Sequence, residues 1–63
     1  MSDFKKRLDQ EQCDLEDKIV KLYDFLDSEK TKEINEVQLV LLKIQVAAME
    51  TYNQCLVARL ERL

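Results

Sequence analysis

The chain has 63 residues and contains no glycine, no proline, no histidine and no tryptophan. Without glycine or proline, nothing interrupts a helix by the usual means. Without histidine, the chain lacks the residue that most often transfers protons in catalysis. The residues that dominate instead are Leu, Glu, Lys, Gln and Ala, which are good helix formers. The composition therefore predicts an all-α protein with no catalytic residues.

Cysteine is also scarce, with only Cys13 and Cys55. Two cysteines and no histidine fall short of the four ligands of a structural zinc site, which excludes such a metal. Antiparallel folding sets the two cysteines out of register by roughly 7 Å, so we expect free thiols, each buried as a small apolar side chain. Free thiols, no signal peptide and no apolar run of about 18 residues predict a soluble cytoplasmic protein that does not enter a membrane.

A single compact domain of this length is only marginally stable, so its core needs a supplement. Disulfides, a metal ion and oligomerisation are the usual supplements in small folds. Since the first two are disfavoured here and no cofactor motif is present, the sequence favours self-association.

Apolar periodicity divides the single domain of residues 1–63 into two helices. Residues 3–27 carry one apolar stripe with steps of 7, 4, 3 and 4, interrupted at Gln12. Residues 28–34 are mostly polar and predict a turn. Asn35 with Gln38 three residues later fits a helix N-cap with a reciprocal partner, so the second helix should span residues 35–63. The stripe of the first helix consists of Leu8, Leu15, Ile19, Leu22 and Leu26.

The second helix carries two apolar seams, and one neighbouring helix cannot cover both. Burial of about 500 Å² more would contribute on the order of 12 kcal/mol before entropy losses, which favours a homo-oligomeric bundle, either a dimer of antiparallel hairpins or a larger assembly. The pattern leaves open which seam faces the first helix. We assign the first seam, interrupted at Asn53, to contacts between copies. The first seam consists of Leu39, Leu42, Val46, Met49, Leu56, Leu60 and Leu63, and the second of Val37, Leu41, Ile44, Ala48 and Cys55.

The net charge of −3 argues against general nucleic-acid binding. Antiparallel folding nevertheless brings cations from both chain ends together, beside an aromatic ring suited to stacking and amides suited to hydrogen bonding. We predict that these residues form a site for an anionic ligand such as a nucleotide, between subunits. The candidate ligand-binding residues are Lys5, Lys6, Arg7, Tyr52, Asn53, Arg59 and Arg62.

The acidic face of the first helix offers an alternative. Asp9, Glu16, Asp17 and Asp24 recur at about helical spacing, and such a face can occupy the basic groove of a partner protein. As paired catalytic carboxylates they are poor candidates, because a solvated helix face explains them.

The whole pattern resembles small accessory proteins encoded by tailed phages and prophages. In the first half the resemblance lies in Phe4–Leu8, Leu15–Leu22 and the pair Phe25 and Leu26. In the second half it lies in Gln38, Leu41, Leu42, Gln45, Ala48, Met49, Tyr52, Leu56, Arg59 and Leu60.

The resemblance implies an origin more than an activity, and no functional residues are carried over from it. Phage binding proteins of this size often act against host defence in the host cytoplasm. One way is to sequester a signalling nucleotide, which suits the basic open end. The alternatives are direct binding to a host defence protein, through the acidic face or the exposed apolar seam, and a structural or assembly role in the virion.

Overall fold

The computed structural model describes residues 2–63, and the side chains of residues 3–63. Helix α1 spans Ser2–Leu26, a short 3-10 helix spans Glu29–Glu33, and helix α2 spans Glu36–Glu61. The described residues contain no strand. The predicted all-α, two-helix hairpin is therefore confirmed.

The connection reverses the chain without glycine or proline. None of the described residues has a positive φ angle or a cis peptide bond. Two hydroxyl groups satisfy the backbone there: Ser28 Oγ donates to the carbonyl of Phe25 at 2.7 Å and accepts from the N–H of Lys30 at 3.2 Å. Thr31 Oγ1 donates to the carbonyl of Ser28 at 3.0 Å. Apolar periodicity cannot reveal this 3-10 helix because all five of its residues are polar.

The start of α2 follows the predicted cap. Asn35 is the N-cap, and its Oδ1 accepts a hydrogen bond from the N–H of Val37 at 2.7 Å. This bond satisfies one of the N–H groups that a helix leaves unpaired at its start. The expected reciprocal bond from Gln38 is not formed, and that side chain is exposed.

The core lies along one line between the two helices. It consists of Leu8, Leu15 and Ile19 from α1 and Val46 and Leu56 from α2, all at most 8% exposed. Half-buried side chains extend this line in both directions, namely Leu22, Leu26, Met49 and Leu60. The buried α1 residues all belong to its predicted apolar stripe, since side chains three and four residues apart share a helix face.

The first seam of α2 packs within the hairpin, which corrects its assignment to contacts between copies. Val46 and Leu56 are buried against α1, and Met49 and Leu60 pack beside them. Leu39 and Leu42 are half-buried, while Leu63 is exposed. The second seam is the one left open, because it lies on the opposite side of α2. Its members Val37, Leu41 and Ile44 are between 52% and 65% exposed.

The two polar interruptions of the apolar stripes face each other. Gln12 Nε2 donates to Asn53 Oδ1 at 3.1 Å, in a half-buried position between Leu8 and Leu15 of α1. Gln12 also contacts Glu16 Oε1 at 3.4 Å. A polar pair inside an apolar seam favours one alignment of two helices, because a shifted alignment leaves both amides without partners. Asn53 therefore favours one register of α2 against α1 within the same chain.

The hairpin is long and thin. Its principal extents are 46 × 15 × 13 Å and its radius of gyration is 14.5 Å, against about 11 Å for a compact domain of this length. A single layer of two helices cannot enclose a core on all sides, so only five of the side chains of residues 3–63 are buried.

Truncation of Leu56 should unfold much of the population. Leu56 is 1% exposed, and a buried Leu→Ala change costs about 2–5 kcal/mol, against a total stability of about 3–9 kcal/mol for this length. We expect Leu56→Ala to lower the melting temperature sharply in circular dichroism. The adjacent Val57→Ala is the control, since Val57 is 37% exposed and should change stability little. Equal losses from both variants would contradict the position of the core.

The Gln12–Asn53 contact is testable by a double-mutant cycle. Each single change to Ala should cost about 1 kcal/mol, and the double variant should lose less than the sum by roughly 0.5 kcal/mol or more. Urea denaturation of the four proteins measures these differences. Strict additivity would show that the two amides do not interact.

Candidate functional site

An open groove runs along one flank of the hairpin, where α1 lies beside Tyr52 of α2. It has a volume of about 480 Å³, which is within the range of small-molecule sites. Six of the seven residues that line it come from α1. The lining consists of Arg7, Gln10, Glu11, Asp14, Leu15, Lys18 and Tyr52.

Helical geometry explains why these α1 residues share a surface. Arg7, Gln10 or Glu11, Asp14 and Lys18 are separated by steps of three or four residues, which places them on one face of a helix. This face adjoins the buried stripe, so Leu15 contributes to both the core and the groove.

The groove carries balanced charge around an aromatic ring. Arg7 and Lys18 supply two cations, and Glu11 and Asp14 supply two anions. Gln10 Nε2 donates to Asp14 Oδ1 at 2.9 Å, which fixes one carboxylate in place. Among residues 3–63 the only ion pair within 4.0 Å joins Lys32 and Glu29, so the cations of the groove hold no ion-pair partner there. Tyr52 is 45% exposed and presents its ring to an incoming group.

The three consecutive cations of α1 do not act together. Successive residues of an α-helix point about 100° apart, so Lys5, Lys6 and Arg7 leave the axis in three directions. All three are exposed, and only Arg7 lines the groove. The predicted cluster is thereby reduced to a single cation from that segment.

The predicted residues of α2 also separate. Tyr52 lines the groove with Arg7, as the candidate site requires. The amide of Asn53 is occupied by Gln12 between the helices. Arg59 is exposed outside the groove, and Arg62 Nη1 donates to the carbonyl of Ala58 at 3.2 Å, a bond that satisfies the end of the helix.

Sequence reasoning missed most of the α1 side of the groove. Gln10, Glu11, Asp14 and Lys18 were available as a signal, since they continue from Arg7 at helical spacing on the flank of the apolar stripe. The sequence prediction grouped the cations by their position along the chain. It therefore did not include this face of α1, which carries both positive and negative side chains.

The opposite flank holds a second contact between the helices. Tyr23 Oη donates to Glu50 Oε1 at 2.6 Å. This hydrogen bond, together with desolvation and the charge of Glu50, raises the pKa of the Tyr23 hydroxyl. The pair ties α1 to α2 away from the groove, and Tyr52 is the tyrosine that lines the groove.

The cysteines offer no reactive thiol on α1. Both are free, and both are exposed, which corrects the expectation that they are buried. Desolvation and then the charges of Asp9, Glu16 and two further carboxylates raise the pKa of Cys13. Cys13 therefore stays protonated at neutral pH and is a weak nucleophile. Within residues 2–63, no three Cys, Asp or Glu side chains are arranged to hold a metal ion.

Comparison with known families identifies the chain's relatives. The sequence model of the Sequestin family matches residues 2–62, which is nearly the entire chain. The chain belongs to the Sequestin family. Comparisons with curated proteins and with solved structures found no match. The name Sequestin points to sequestration of a ligand, which agrees with the sequestration that the resemblance to phage accessory proteins implies.

Neither helix of the described part of this Sequestin-family chain combines the length and the apolar character needed to cross a membrane.

The Tyr23–Glu50 bond should be visible in a tyrosine titration. In a Tyr52→Phe variant Tyr23 is the one remaining tyrosine, and we expect its pKa to lie above the ordinary value of 10.0. Adding Glu50→Gln should bring it down, because the carboxylate acceptor and its charge are removed. Absorbance of tyrosinate against pH measures both values.

The same shift predicts a loss of stability at high pH. The pKa of Tyr23 is higher in the folded state than its ordinary value of 10.0. The Tyr23–Glu50 contact therefore stabilises the fold fully below pH 10.0, and this stabilisation is lost as pH rises through the folded-state pKa. Tyr23→Phe should show a smaller drop in melting temperature above that pH than the wild type. Identical pH profiles would contradict the contact.

Proposed function

We propose that the chain is a non-enzymatic phage protein that sequesters an anionic small molecule, such as a signalling nucleotide, and thereby counteracts host antiviral defence in the host cytoplasm. Membership of the Sequestin family supports the sequestration. The observation that carries the choice of ligand is the groove in which Arg7 and Lys18 flank the exposed ring of Tyr52.

The groove matches the parts of a nucleotide. The ring of Tyr52 offers a stacking surface for a base, while the guanidinium of Arg7 pairs with phosphate oxygens through two parallel hydrogen bonds. Lys18 adds a second cation. Glu11 and Asp14 accept hydrogen bonds from ribose hydroxyls or from amino groups of the base.

The same carboxylates favour a small ligand over a polymer. With two anions beside two cations, the groove offers no excess of positive charge for a run of phosphates. A compact ligand with one or two phosphates contacts Arg7 and Lys18 and places its uncharged groups against the acidic side chains. The net charge of −3 also disfavours binding of a phosphate polymer.

The available side chains support binding without turnover. The chain has no histidine, and the raised pKa of Cys13 disfavours its reactive thiolate form. Sequestration requires only that the protein be abundant and bind more tightly than the receptor of the signal. None of the groove residues has to transfer a proton or form a covalent bond for this role.

Self-association is part of this proposal. The groove is open on one side, whereas small-molecule sites usually bury about 70–90% or more of the surface of their ligand. The hairpin also leaves an apolar face of α2 exposed. A homo-oligomer accounts for both the open groove and the exposed apolar face. A further copy covers apolar surface and reduces the opening around bound ligand.

A second candidate function is direct binding to a host defence protein through the acidic face of α1. The observation in its favour is that Asp9, Glu16, Asp17 and Asp24 are all exposed, and among residues 3–63 none of them forms an ion pair. A complex of that kind weakens steeply as salt increases, because exposed charges are screened.

Thermal stabilisation by a panel of cyclic mononucleotides and dinucleotides tests the first function. Stabilisation should follow the logarithm of ligand concentration above the dissociation constant. We expect Arg7→Ala to weaken binding by roughly 10-fold to 100-fold, because it removes a charged hydrogen-bonding partner. Tyr52→Ala should weaken binding as well, because it removes the stacking surface.

Lys6→Ala is the matched control, since it removes an adjacent exposed cation that does not line the groove. Equal effects of Arg7→Ala and Lys6→Ala would indicate general charge attraction and contradict the assigned groove. Absence of stabilisation by the whole panel, together with a salt-sensitive complex with a host defence enzyme, would favour the second function.

A further inference from the structure

Helix α2 carries a regular apolar stripe on the side facing away from α1. Its residues alternate in steps of four and three, the heptad spacing of a helix that packs along another helix. We call this surface the outer stripe. It consists of Val37, Leu41, Ile44, Ala48, Thr51, Cys55 and Ala58.

The outer stripe is open to solvent at its large residues. Val37 is 65% exposed, Leu41 52% and Ile44 60%, and Val40 on its flank is 56% exposed. The accessible surface of the chain is 5130 Å², whereas a compact monomer of this mass exposes about 4200 Å². The excess of about 900 Å² is close to the roughly 800 Å² that each partner buries in a standard interface.

We propose that the outer stripe binds the outer stripe of a second copy in antiparallel orientation, so that two α2 helices form the centre of a four-helix dimer. This inference rests on the self-association included in the proposed function, and it names the surface and the orientation. The hairpin core is unchanged by this contact, because Val46 and Leu56 face the other way, toward α1.

The sizes of the side chains select a second copy in antiparallel orientation. The large residues, Val37, Leu41 and Ile44, occupy the N-terminal half of the outer stripe. The C-terminal half holds small ones, Ala48, Thr51, Cys55 and Ala58. Antiparallel pairing sets the half with large side chains against the half with small ones, which fills space more evenly. Parallel pairing sets large against large at one end and leaves a gap at the other.

The charges at the two ends of α2 favour the same orientation. Glu36 lies in the first turn, and Arg59 lies in the last turn. An antiparallel contact brings each acidic end to a basic end, and it also opposes the two helix dipoles. A parallel contact would bring Arg59 next to its own copy.

Sedimentation of variants tests the surface. From micromolar to millimolar concentration we expect a wild-type dimer that Ile44→Lys weakens roughly 30-fold or more, because a lysine is buried without a partner. Val20→Lys is the matched control, since Val20 is 54% exposed on α1 and lies off the outer stripe, and it should leave the dimer intact. A dimer unaffected by Ile44→Lys would overturn the surface while leaving self-association in place.

Disulfide mapping tests the orientation and does not depend on the folding of the lysine variant. In a Cys13→Ser background, a parallel dimer sets the two copies of Cys55 side by side, whereas heptad pairing in the antiparallel dimer separates them by about 15 Å or more. Cys55 then lies opposite Val37 or Ile44 of the second copy, depending on the register.

Oxidation of Cys13→Ser alone should therefore give no covalent dimer. Adding either Val37→Cys or Ile44→Cys should give one, with the new cysteine linked to Cys55 in peptide mass spectrometry. A Cys55–Cys55 link, or no link to Cys55 in either variant, would overturn the antiparallel contact. A wild-type chain that stays monomeric at millimolar concentration would overturn this inference and the self-association together, while nucleotide binding by that monomer would leave sequestration standing.

Discussion

Packing of Leu8, Leu15 and Ile19 against Val46 and Leu56 holds the entire hairpin together. The chain has free cysteines, so no disulfide assists this contact. The groove exists only because this packing sets Tyr52 beside the flank of α1, and the Gln12–Asn53 and Tyr23–Glu50 bonds depend on the same alignment. The groove and both hydrogen bonds between the helices are thus positioned by these five buried side chains.

The hairpin itself could be predicted because its signals are local. Apolar spacing marks α1, and Asn35 marks the start of α2 through a bond to a residue two positions away. The choice between the two seams of α2 could not be made from periodicity, because both are apolar at helical spacing. One signal was available. Each helix has a single polar interruption in one seam, Gln12 and Asn53, and pairing these two would have selected the correct seam.

The candidate site was predicted less well, for a geometric reason. Consecutive residues of a helix point in different directions around its axis. Lys5, Lys6 and Arg7 are therefore adjacent in sequence but lie on different faces of α1. Tyr52 and Arg7 line the same groove, and antiparallel folding alone is enough to place both near the open end. Prediction of Lys18 and Asp14 required knowing which flank of α1 faces Tyr52, and that depends on the seam chosen for α2.

The short connection between the helices affects how quickly the hairpin folds. Glu29–Glu33 closes a small loop, so bringing α1 against α2 costs little loop entropy. Helical proteins dominated by local contacts fold on a timescale of about microseconds to milliseconds, which is much faster than the synthesis of a chain. The hairpin should consequently form in step with translation, ahead of any association of copies, which depends on protein concentration.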